Sequence, residues 1–184
     1  MNFLRWLKHP CLAPILGVAL LTLGSGVYTT FTSIQVSLHG ASATLIGTVS
    51  GCYYAGLLIG AYHSPNLIRR QGLSNAYAFY TALTLCALLL QSLWIQPWFW
   101  AILRILGGYA LAALFVVVES WIVTVSPLQQ RGRALGIYLF VYYIASSLSQ
   151  LVLKIPGHSD LIYCIWMSFF CALSLDTHGI NNDV

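Results

Sequence analysis

Residues 98–124 read WFWAILRILGGYALAALFVVVESWIVT. The hydrocarbon core of a bilayer is about 30 Å thick and takes about 20 helical residues to cross, so this run is long enough to span it. Arg104 and Glu119 are its only charged residues. In lipid each segment must satisfy its own backbone hydrogen bonds, which makes a helix the default. A membrane β-barrel strand would alternate polar and apolar over about ten residues, and this run does not alternate.

The same pattern repeats on both sides. Apolar runs fill residues 12–34, 44–64, 73–93 and 134–153, and a shorter one fills 161–175. The chain holds eight Lys and Arg and four Asp and Glu in 184 residues. Its charged fraction is 7%, whereas a soluble domain carries about 25%. Mean hydropathy is +0.80. These figures predict an all-α polytopic membrane protein of six transmembrane helices, near 12–34, 44–64, 73–93, 98–124, 134–153 and 161–175. One bundle then occupies residues 1–175, and residues 176–184 form a short cytoplasmic tail. Cut three and three, the helices have opposite orientations in the two halves, the plan of an inverted repeat.

The basic residues set the expected orientation. Arg5 and Lys8 precede the first run, Arg69 and Arg70 follow the second, and Arg131 and Arg133 follow the fourth. Lys154 stands alone on the other side. This bias places the N-terminus and, with six helices, the C-terminus in the cytoplasm. The expected location is a bacterial inner membrane. The first run is too long for a signal-peptide core and lacks a small-x-small cleavage site, so it is read as a retained helix. Trp94, Trp98 and Trp100 towards one interface, and Trp6 and Trp121 towards the other, fit an aromatic belt. The net charge of +4 is dispersed and makes no nucleic-acid footprint.

Charges and polar stripes inside the runs are the candidate functional residues. A charge at membrane depth costs a few kcal/mol, about 3 on insertion scales, and so needs a purpose or a partner. Arg104 and Glu119 lie fifteen positions apart, about 22 Å along one helix, and cannot pair directly. Tyr138, Tyr142, Ser146, Ser149 and Gln150 share one face of the fifth run, and Ser25, Tyr28, Thr32 and Gln35 share one face of the first. Such a face is a water-filled path or a helix contact. Tyr28, Thr32, Tyr138, Tyr142 and Gln150 are the candidates to line a cavity. Gly47-xxx-Gly51, Gly56-xxx-Gly60 and Gly108-xxx-Ala112 allow close helix approach.

Enzyme chemistry is not expected. The sequence has no nucleotide-binding glycine loop, no HExxH and no Gly-x-Ser-x-Gly. Its aspartates, Asp160, Asp176 and Asp183, sit at segment ends. Cys11, Cys52, Cys86, Cys164 and Cys171 are scattered through apolar segments and read as small core residues. No clustered spacing suggests a metal, and no cofactor is expected.

Several of these residues carry a resemblance. Arg104-Ile-Leu-Gly-Gly-Tyr-Ala-Leu-Ala-Ala113 resembles the fourth-helix motif of the major facilitator superfamily: an arginine, a glycine four residues on at Gly108, then small residues. Val118-Glu-Ser-Trp121, Arg131-Gly-Arg133 and the tyrosine-rich fifth run ending in Ser149-Gln-Leu151 are similar to a bacterial subgroup of sugar and drug transporters in that superfamily. Gly56-Leu-Leu-Ile-Gly60 and Ile68-Arg-Arg-Gln-Gly72 resemble that subgroup's degenerate second-loop signature, with Arg69 where the usual signature holds an aspartate.

The resemblance implies a gradient-driven transporter of a small-molecule substrate, working by alternating access. It assigns proton coupling to Arg104, and Arg104, Glu119 and Gly108 are the transport and coupling candidates. Arg69, Arg70 and Gly72 fall on a cytoplasmic latch, which Glu119, Arg131 and Arg133 would join. The family fold has about twelve helices, so six make its N-terminal half. A truncated product, inactive alone, is the expectation. Its partners would be the bilayer, a C-terminal half or a second copy, and no nucleic acid. A non-transporting assembly or regulatory subunit is the alternative.

Overall fold

A computed structural model describes residues 12–38, 42–93 and 96–152. The sixth apolar run at 161–175, the tail at 176–184, Arg5, Lys8 and Lys154 lie outside the described residues. The described chain is all helix: α1 (Leu12–Leu38), α2 (Ala43–Leu93), α3 (Pro97–Val125) and α4 (Arg131–Val152), with a 3₁₀ turn at Leu128–Gln130 before α4.

Each boundary has a local cause. Ser42 opens α2, its hydroxyl accepting from the Leu45 amide at 3.3 Å, as an N-cap serine does. Pro97 is the first residue of α3, where its missing N–H costs nothing. Ser126 leaves α3 in an extended conformation, its amide still donating to the Ile122 carbonyl at 3.0 Å. Pro127 then prevents continuation. Arg131 Nε donates to the Ser126 carbonyl at 3.3 Å, placing positive charge where the helix end is negative.

The 51 residues of α2 are more than twice the length of about 20 that one crossing needs. Gly72 divides them, with φ 81° and ψ 165°, a backbone that L side chains rarely adopt. The two arms, 43–71 and 73–93, run in opposite directions along α3. On the first arm, Gly56 meets Ile105 and Gly60 meets Tyr109, so both sequences ascend together. On the second, Tyr77 meets Trp121 and Tyr80 meets Tyr109, so one ascends as the other descends. The stretch from Pro65 to Gly72, read in the sequence as a loop, is helical up to the glycine. Pro65 is accommodated inside the helix, one backbone hydrogen bond being lost there.

The core is built around α3. Ala113, Leu114, Val117, Val118 and Ile122 of α3 pack with Ala76, Tyr77 and Tyr80 of α2, Ile15, Val18 and Leu21 of α1, and Tyr138 of α4. The most extensive contacts join α2 to α3, followed by α1 to α4. Large apolar side chains also cover the outside: Leu58 is 75% exposed, and Ile102, Phe140 and Tyr143 are exposed as well. On a soluble protein such a surface would be an aggregation hazard; lipid is its natural solvent. Three helical stretches, Ala43–Gln91, Trp98–Val125 and Leu128–Leu151, are long and apolar enough to cross a membrane, and Ile15–Val27 is a shorter apolar one.

Candidate functional site

Glycines set how closely the site's walls approach. A Cβ on Gly108 would collide with the Tyr53 carbonyl oxygen, one on Gly56 with the Ile105 carbonyl oxygen, and one on Gly60 with the Tyr109 carbonyl oxygen. The first arm of α2 and α3 therefore touch backbone to backbone, each glycine fitting the other helix. This is how small residues hold membrane helices together. Gly47 and Gly51 have nothing within 4 Å of such a Cβ, so that glycine pair forms no seam among the described residues.

The close approach at Gly108 brings Tyr53 over Arg104. Arg104 is 3% exposed, and its Cζ lies 5.5 Å from the centre of the Tyr53 ring. A cation over an aromatic face gains about 2 kcal/mol when desolvated. Beside this pair is a cavity of about 20 Å³, lined by Ser25, Thr84, Ala87, Leu88, Leu103, Gly107 and Leu111 as well as Tyr53 and Arg104. It has room for about one water. Four helical segments meet at Arg104: α1, both arms of α2, and α3.

Glu119 lies farther along α3 and is exposed. The Tyr138 hydroxyl of α4 donates a hydrogen bond to its carboxylate. Tyr138 itself is 3% exposed. One turn away on each helix, Phe115 and Tyr142 meet edge to face, with centroids 5.4 Å apart at 86°. Tyr142 is close enough to interact electrostatically with both Tyr53 and Tyr138. The result is one wall, with Arg104 under Tyr53 at one end, Phe115 and Tyr142 between, and Glu119 with Tyr138 at the other.

The remaining candidates fall elsewhere. Gln150 Oε1 accepts from Thr30 Oγ1 of α1 at 3.1 Å, and the neighbouring Ser149 packs into the space left by Gly26. Gln150 thus belongs to the α1–α4 contact. The side chains of Tyr28 and Thr32 lie outside the described residues. Arg69, Arg70 and Gly72 are exposed at the α2 bend. Arg131 is partly buried and holds the end of α3, and Arg133 is exposed. Among the described residues no ion pair joins Glu119 to either arginine; its carboxylate faces a tyrosine instead.

Tyr53 and Thr84 join the site without having been singled out in the sequence. Tyr53 lies between two glycine pairs, and a ring beside a close helix crossing is the signal that could have found it. His63 also escaped notice: its Nδ1 is 2.8 Å from the Tyr109 hydroxyl, tying α2 to α3 beyond Gly60. Among the described residues no three His, Cys, Asp or Glu gather as a metal site, and Cys52 and Cys86 are free thiols.

Comparison with known proteins gives this architecture a family. The family described as Major Facilitator Superfamily matches residues 15–155. An uncharacterized MFS-type transporter of Enterobacter sp. (strain 638) is 30% identical over 150 residues, covering 81% of this chain and 39% of the relative. One from Yersinia pestis (strain Pestoides F) is 30% identical over 163 residues, covering 87% of this chain and 42% of the relative. One from Escherichia fergusonii is 30% identical over 146 residues, covering 79% and 38%. The chain thus spans about two fifths of the length of these relatives. Since the match runs through every described helix, the chain is an integral membrane protein of the Major Facilitator Superfamily, a family of transporters and not of enzymes.

Proposed function

We propose that this chain forms one wall of a solute path in a secondary transporter that works by alternating access. The observation that carries the reading is the wall itself: Arg104 under Tyr53 and Glu119 beside Tyr138, both charges held on one long apolar helix. Intramembrane ionisable residues are costly, face the bundle interior or a water-filled cavity, and mark substrate and ion pathways. Arg104, Glu119 and Gly108 are the coupling candidates, Gly108 because it sets the Tyr53–Arg104 approach. Tyr138 and Tyr142 line the path. Arg69, Arg70, Gly72, Arg131 and Arg133 form the gate at the end where the α2 bend and the α3–α4 connection lie.

In this reading the bundle is the six-helix N-terminal half, built as an inverted three-helix repeat and completed by residues 161–175. It sits in a bacterial inner membrane with both termini cytoplasmic. A solute path needs a facing wall, supplied by the part that completes the relatives' length or by a second copy. Two results are expected. Purified alone as a monomer in vesicles, the chain should show no substrate-driven uptake above empty vesicles; robust uptake by a proven monomer contradicts the proposal. Alkaline phosphatase fused after Gln71 should be inactive in cells and active after Gln96, because only the second site would lie outside the cytoplasm. The reverse pattern overturns the orientation.

A further inference from the structure

Away from the wall, α2 and α3 share a second polar contact, and it holds a histidine. Gly60 of the first arm lies against the Tyr109 backbone, and this approach sets His63, one turn on, beside the Tyr109 side chain. The His63 Nδ1 is 2.8 Å from the Tyr109 hydroxyl, and the two rings are 6.1 Å apart at 34°. Tyr109 also meets Tyr80 of the second arm edge to face, with centroids 5.9 Å apart at 64°. The Tyr80 hydroxyl is fully buried. It is close enough to Tyr109 to interact with it, but it forms no well-aligned hydrogen bond among the described residues.

The direction of the His63–Tyr109 bond follows. The phenol has one hydrogen, and a donor left without an acceptor is the rarer arrangement in folded proteins. That hydrogen therefore goes to Nδ1, and the imidazole proton sits on Nε2. His63 is exposed, and so are Asn66 and Arg70, which follow it on the same face. This edge of α2 is thus polar from His63 down to the bend at Gly72. Charged groups stand farther off. Arg69 and Arg70 are about 9 and 10 Å along the same helix, and Arg104 and Glu119 are about 7 and 15 Å from Tyr109 along α3. Among the described residues, no titratable or charged group of α1 or α4 makes a polar or ring contact with His63.

Protonation forces a reversal. An imidazolium donates from both nitrogens and accepts at neither, so the Tyr109 hydroxyl must accept from Nδ1–H and turn its own hydrogen elsewhere. The buried Tyr80 oxygen lies beside it and lacks a donor. We propose that His63 is a proton-binding site and that its protonation reverses the Tyr109 hydroxyl, which then donates to Tyr80. One proton is taken up from water and none is released. The neutral form has only the His63–Tyr109 link; the protonated form joins both arms of α2 to α3 in one chain of hydrogen bonds. The site stands independently of the transporter reading and uses none of its coupling candidates.

The test is NMR of the purified chain in nanodiscs, isotope-labelled at the histidine ring nitrogens and the tyrosine Cζ. Signals are assigned with His63→Gln, Tyr80→Phe and Tyr109→Phe. The pH is lowered from about 8 to about 5, the range in which histidines ordinarily titrate. The His63 ring should pass from its neutral to its cationic signal, and the Tyr80 and Tyr109 Cζ signals should shift with the same midpoint. His63→Gln should abolish both tyrosine shifts. Tyr109→Phe should abolish the Tyr80 shift while His63 still titrates. The proposal is overturned if His63 keeps one charge state throughout, if Tyr80 does not shift with it, or if Tyr80 shifts equally in His63→Gln. Should His63→Gln fail to fold, Tyr109→Phe decides: a Tyr80 shift that survives loss of the Tyr109 hydroxyl overturns the proposal. The transporter reading is tested separately by water access to the wall, so failure here leaves it standing.

Discussion

Arg104→Leu should abolish flux through the assembled transporter while leaving the amount of chain in the membrane unchanged. Arg104 is 3% exposed and stacked under Tyr53 at 5.5 Å. Holding a charge there costs desolvation energy, and a well-packed apolar residue of similar size often stabilises such a site. Folding therefore tolerates leucine. The wall loses the one positive charge it has among the described residues and, with it, a cation–π contact of about 2 kcal/mol, equivalent to about thirtyfold in any step that depends on it. Arg104→Lys should also be impaired, because a compact ammonium cannot stack its plane on the ring as guanidinium does. Immunoblots of membranes give the level, and uptake into vesicles gives the flux. Unchanged flux with Arg104→Leu would return Arg104 to a packing role and favour the assembly-subunit alternative.

The second large effect concerns the glycine seam. Gly56→Val, Gly60→Val and Gly108→Val should each lower the thermal unfolding midpoint of the purified chain markedly or prevent its accumulation. Each added side chain would start inside a backbone carbonyl of the facing helix. Overpacking a well-packed contact costs about 1–3 kcal/mol, and here the obstructing atoms are backbone, which cannot rotate away. Gly47→Val and Gly51→Val serve as controls, since nothing lies within 4 Å of a Cβ at either position. The two groups should separate cleanly in a thermal melt followed by circular dichroism. Equal loss in both groups would mean that valine harms the helix itself and that the seam is unimportant.

These two effects show what was legible in the sequence. Long apolar runs with charges in the gaps identify the helices, because lipid admits little else. The positions 56, 60 and 108 could be marked as close-approach sites from spacing alone. That Gly56 and Gly60 find a partner and Gly47 and Gly51 do not is invisible in one sequence, since it depends on which helix lies opposite. The continuity of α2 through Pro65 was also hidden: proline suggests a break, yet the helix continues until Gly72, where φ turns positive.

The site divides in the same way. Arg104 and Glu119 stand out because charge is rare in an apolar run. Tyr138 and Tyr142 stand out by their spacing, and the structure sets them beside Glu119 and Phe115. Gln150 shared that stripe but turns towards Thr30; a face about 100° wide can meet two neighbours. Tyr53 was hidden because a tyrosine in a tyrosine-rich membrane protein carries no signal until its neighbour is known. Glu119, a coupling candidate that the resemblance also sets beside the latch arginines, meets Tyr138 among the described residues. Arg131 lies on the next helix and donates to the Ser126 carbonyl.

Water access to the wall tests the central claim most directly. Single cysteines would be placed at Phe115 and Tyr142 on the wall, and at Leu58 and Phe140 on the outer apolar surface, in a chain otherwise free of cysteine. Membrane vesicles would then be treated with a charged, membrane-impermeant thiol reagent. A solute path predicts that positions 115 and 142 react and that 58 and 140 do not. Equal protection of all four, or reaction confined to 58 and 140, would contradict it.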